Sequence, residues 1–152
     1  MNRTSALGLA AAVTIAIGAA GAAYAGQRQE AAEAAAAGAA VQPVSWDGWL
    51  AAKAKAEEND AAGNLVSALQ YYLEYIRQAE GLNNPSRIAW GKNNAAYMII
   101  KMHRQDPTVE LAPARKLLEE GLGVDGATEE CRKVLAMNLE YVKSTAGTPP
   151  RP

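Results

Sequence analysis

The chain has 152 residues, an apolar fraction of 49 % and a formal net charge of −1. Its acids and bases are mixed along the sequence, which excludes the basic stripe that a nucleic-acid backbone requires. A single cysteine, Cys131, excludes an internal disulfide framework. Much of the apolar fraction is alanine and there is no phenylalanine, so a core has to be built from Leu, Ile, Val, Met, Tyr and Trp. That supports one domain of about a hundred residues.

Residues 1–25 read MNRTSALGLAAAVTIAIGAAGAAYA. A charged start at Arg3, an uncharged apolar run and the small residues of Ala23-Tyr24-Ala25 form the pattern of a secretory signal. Cleavage after Ala25 is expected, which places the mature protein in the periplasm or otherwise outside the cytoplasm. The alternative is a retained anchor facing away from the cytoplasm, since the run is about long enough to span a bilayer. Against that, Ala and Gly dominate the run and no basic cluster follows it. Contact with a membrane is expected only through this segment, and only where it is retained. Residues 26–45 turn abruptly to Ala, Gln and Glu, with few large apolar groups to pack. They are read as a tether.

Five helices are predicted after it. The first spans 46–59, with Ser45 as its cap and Asp47 in its first turn. Residues 60–63 break the pattern. Asn64 is placed to cap the second, 65–80, where Leu65, Ala68, Leu69, Tyr72, Ile76 and Ala79 recur at spacings of three and four. Gly81 is expected to stop it in a left-handed conformation. Asn84 or Ser86 caps the third, which opens on Pro85 and runs to about residue 102. A polar linker leads to the fourth, near 111–122, where Ala114, Leu118 and Leu122 form an apolar stripe. Asp125 or Thr128 caps the fifth, 127–143, and residues 144–152 are read as a disordered tail. No strand-like alternation occurs within 46–143. The fold class expected is all-α, with antiparallel helix pairs stacked as a short solenoid. Small residues on the third helix, Gly91, Ala95 and Ala96, mark where a neighbouring helix comes close.

The string KNNAAYMII at 92–100 resembles the first helix of a tetratricopeptide repeat, in the form where two asparagines precede a small pair and an aromatic. ARKLLEEGL at 114–122 is similar to that family's second helix, and GNLVSALQYYLEYI at 63–76 to the second helix of a preceding repeat. The likeness covers roughly 46–142, about two and a half repeats of the family's length. The sequence departs from the family in a longer linker at 101–110, a poorly matching opening helix, no proline at 123–126, and glycine at Gly121 where alanine is usual.

Chemistry-bearing residues are sparse. His103 is the sole histidine and Asp106 lies near it, but both sit in a polar linker with no nucleophile motif before them. No second histidine or cysteine pair offers a metal site, and no glycine-rich phosphate loop occurs. Cys131 has the surroundings of a packed small residue. The expectation is therefore a non-enzymatic protein, with no catalytic residue, metal or cofactor.

Trp90, Asn93, Tyr97 and Lys101, spaced three, four and four, share one face of the third helix. The resemblance implies that this face lines a concave groove for an extended peptide: Asn93 bonding to its backbone, Lys101 meeting a carboxylate, Trp90 and Tyr97 stacking. Trp49 and Lys53 extend the face on the first helix. The implied role is a scaffold that binds a protein or peptide partner in the cell envelope. The alternative is a structural subunit of a larger envelope assembly.

Overall fold

A computed structural model of the chain describes residues 43–146; the signal segment, residues 26–42 of the tether and the end of the tail lie outside them. The described residues are all-α. Five helices follow one another: α1 (Trp46–Ala61), α2 (Leu65–Gly81), α3 (Pro85–Gln105), α4 (Ala112–Leu122) and α5 (Glu129–Ala146). Consecutive helices pack together, and α3 also meets α5.

The caps explain where the helices begin. The Ser45 hydroxyl accepts from Gly48 N–H at 2.9 Å. Asn84 Oδ1 accepts from Arg87 N–H at 3.1 Å, with Pro85 in the first turn where no N–H is missed. Thr128 Oγ1 accepts from Cys131 N–H at 3.2 Å. Asn64 precedes α2 without a side-chain capping bond.

Four expectations need correcting. Gly81 is the last residue of α2, and the left-handed residue beyond it is Asn83, φ 50°. Asparagine tolerates that conformation through its short polar side chain. Gly81 is small for another reason: a Cβ there would lie 2.5 Å from Cγ2 of Val44. Helix α3 runs three residues past the expected end, because the polar residues 103–105 continue the turns until Asp106 leaves helical geometry. Residues 144–146 continue α5 instead of opening a tail. Finally, 43–45 are not loose. Gln78, fully buried, accepts from Ser45 N–H at 2.8 Å and donates to the Pro43 carbonyl at 3.2 Å.

The five helices form two layers. Helix α3 lies between α1 and α5: Lys101 reaches Asp60 of α1, and Asn93 meets Asn138 of α5. Helices α2 and α4 form the second layer, and Lys92 of α3 sits between Glu80 and Glu120, one from each. Close approach is met by small residues. A Cβ on Gly91 would lie 2.7 Å from both Ile76 Cγ1 and Tyr75 Cδ1 of α2. One on Gly121 would lie 2.8 Å from Leu135 Cδ2 of α5, which accounts for glycine at that position. Ala89, Ala95 and Ala96 are fully buried along α3. The carbonyls freed at the end of α4 are taken by Arg132, whose guanidinium donates to Leu122 and Val124 at 2.9 Å each.

Leu118 is fully buried, whereas the Lys116 side chain is 79 % exposed. Leu118→Ala is expected to cost about 2–5 kcal/mol, the range for a core leucine. Lys116→Ala should leave the thermal midpoint nearly unchanged. Equal shifts for the two variants would contradict the orientation of α4.

Candidate functional site

Helix α3 has one open side. Its buried residues include Ala89, Gly91, Ala95, Met98 and Met102, which face the neighbouring helices. Arg87, Trp90, Asn94, Tyr97 and Lys101 are half-buried and Arg104 is exposed. These six recur at spacings of three and four, so they fall within an arc of roughly 100° on an α-helix. Helix α1 flanks this stripe on one side and α5 on the other.

The α1 flank is built on aromatic rings. Trp49 is buried, 5.0 Å from the Tyr75 ring and edge-on to Trp46 at 6.3 Å. The Arg87 guanidinium lies 3.7 Å above the Trp49 ring and 5.2 Å from that of Trp46. Further along, Lys101 Nζ donates to Asp60 Oδ1 at 2.6 Å and stands 5.3 Å from the Tyr97 ring. Tyr72 of α2 is buried and feels both Asp60 and Glu57. Burial first, and those carboxylates second, push its hydroxyl up to about 12, so it stays neutral.

The α5 flank is joined by amides and a phenol. Asn138 Nδ2 donates to Asn93 Oδ1 at 2.9 Å, and Asn93 Nδ2 donates to Asn94 Oδ1 at 3.3 Å. Arg104 Nε donates to the Tyr141 hydroxyl at 3.3 Å, and its guanidinium lies 4.6 Å from that ring.

The structure therefore gathers Trp90, Tyr97 and Lys101 on one accessible face. It places two other expected residues differently. Asn93, 5 % exposed, faces α5, and its amide is already engaged there. Trp49 lies in the core, covered by Arg87. Lys53 is on α1, paired with Glu57 one turn on. Sequence reasoning missed Arg87, Asn94 and Arg104. The signal was the spacing itself, since three-and-four steps run through Asn94 and extend to both ends of α3.

Away from this face, His103 and Asp106 do not hydrogen-bond to each other. A carbonyl only accepts, so His103 Nδ1–H donates to Val109 O, at 2.7 Å. The Asp106 carboxylate accepts from the N–H and hydroxyl of Thr108, bonds that hold it below the usual carboxylate range. Together they fix the α3–α4 loop beside a shallow hollow of about 370 Å³. Cys131 is fully buried, and burial pushes its thiol up. No group of three metal-ligating side chains occurs among the described residues.

The fold and the face together define a helical-repeat-like all-α stack with a polar and aromatic stripe on its central helix. No family model, curated protein or solved structure matches the chain.

The Asn93–Asn138 bond makes a measurable claim about stability. Asn93→Ala leaves a partly buried amide on α5 unsatisfied, and should cost about 1–3 kcal/mol. Adding Asn138→Ala should cost little more, because the two groups share one bond. Fully additive losses in chemical denaturation would mean that the bond contributes nothing.

Proposed function

We propose that this chain is an exported, non-enzymatic interaction module that binds a protein or peptide partner in the cell envelope. The supporting observation is the α3 face. Trp90, Asn94 and Tyr97 are half-buried side chains, so a partner laid along α3 meets rings and an amide already held by Asn93, with little ordering cost. Stacking and a few polar anchors are how helix-lined surfaces take extended chains. The likeness of 63–76, 92–100 and 114–122 to tetratricopeptide repeats supports the same reading.

Site-specific photocrosslinking tests it. A photoreactive residue at Asn94 should capture a discrete protein in envelope extract. The same residue at Lys116, on the outer layer, should not. Equal capture from both positions, or none from Asn94, would end this assignment of the face. Export is tested separately by intact mass, with envelope-localised protein expected to begin at Gly26. Full-length protein confined to the cytosol would contradict it.

The second reading, a structural subunit of an envelope assembly, draws on a different observation. Val44, Trp46 and Leu50 are exposed at the α1 end of the stack, by 43 %, 49 % and 54 %. Crosslinks from Leu50 with none from Asn94 would favour it.

A further inference from the structure

The cations of α3 are of two kinds. Lys92 and Lys101 each have a carboxylate partner. Arg87 and Arg104 have none among the described residues. Both lie against rings instead, Arg87 on Trp49 and Trp46, Arg104 on Tyr141 with Tyr97 further off. The neighbouring rings limit the freedom of each guanidinium; Arg87 also meets the Tyr75 hydroxyl and Arg104 spends its Nε–H on that of Tyr141, which leaves the remaining N–H groups for a planar acceptor. A carboxylate is the acceptor that fits such groups with two parallel bonds.

The two arginines stand at opposite ends of the stripe. They are seventeen positions apart, which on an α-helix is roughly 25 Å. An extended chain covers that distance in about eight residues. Between them lie Trp90 and Tyr97, rings suited to apolar or aromatic side chains, and Lys101, which already holds Asp60. A lone chain-terminal carboxylate would reach one arginine and leave the other unmatched.

We propose that Arg87 and Arg104 are two carboxylate-binding positions at the ends of the α3 face, and that its partner is an extended segment with acidic side chains about eight residues apart and apolar ones between. This rests on the reading of α3 as a peptide-binding face and adds the partner's chemistry to it. The rings and phenols supply orientation, and two guanidinium charges without a carboxylate partner among the described residues supply the selectivity for acids.

The test is selection of a random peptide library of about twelve residues, long enough for that span, on the purified full chain. Enriched peptides should carry Asp or Glu near both ends. Arg87→Gln or Arg104→Gln should weaken them roughly ten- to a hundredfold, the effect of losing a charged hydrogen-bonded contact. Arg87→Lys should stay weak, because an ammonium lacks the fork. Added salt should weaken the wild-type complex. Thermal unfolding checks each variant, and Arg104→Gln decides the matter if Arg87→Gln does not fold. Enriched peptides without acids, or indifferent to the folded variants, overturn this proposal and leave the peptide-binding reading standing. No enrichment at all overturns both.

Discussion

Three helices pack on α3, α1 reaches it through side chains alone, and the space between them fixes what α3 can be made of. At Gly91 the rings and branches of α2 come so near that even a methyl group would collide with Tyr75 and Ile76. Where α4 meets α5, the same condition falls on Gly121 against Leu135. Close packing of this kind transmits shape changes poorly absorbed elsewhere, since protein interiors have few voids to yield. The residues that α3 keeps for its open side are then whatever the converging helices leave uncovered. Its half-exposed stripe is a by-product of crowding on the other sides.

Polar groups close the places where regular helix stops. Arg132 of α5 takes up carbonyls left at the end of α4, and Gln78 of α2 binds the backbone before α1. Each does its work from a neighbouring element, so the turns are held by tertiary contacts as well as by local caps. Buried amides and guanidinium groups so placed favour one arrangement of the stack over slipped ones, because a shift leaves them unsatisfied.

Much of this architecture was legible in the residues. Periodicity located all five helices to within a few positions, and the small residues of α3 marked its close seam. The shortfalls have physical causes. Glycine after a helical run suggested a left-handed stop, but Gly81 is small because Val44 lies over it, a contact thirty-seven positions away in sequence. Asn93 and Asn94 are chemically identical neighbours. Only the position of α5 shows that Asn93 is spent on Asn138 while Asn94 keeps to the open side. Trp49 belonged to a plausible surface face until Arg87, from another helix, covered it. In each case the missing information was a long-range partner, which spacing along one helix does not contain.

The attachment of residues 43–45 bears on mechanics. Ser45 N–H and the Pro43 carbonyl both end on the one amide of Gln78, and Val44 rests on Gly81 between them. If the preceding segment is held elsewhere, a pull along the chain meets this clasp before it meets α1. The load then passes sideways into the last turn of α2, so that the end of the helix pair is loaded across both helices before α1 can peel away one turn at a time. Two hydrogen bonds strained together resist such a pull better than the same two broken in succession. The clasp thus sets the point at which an external force enters the stack.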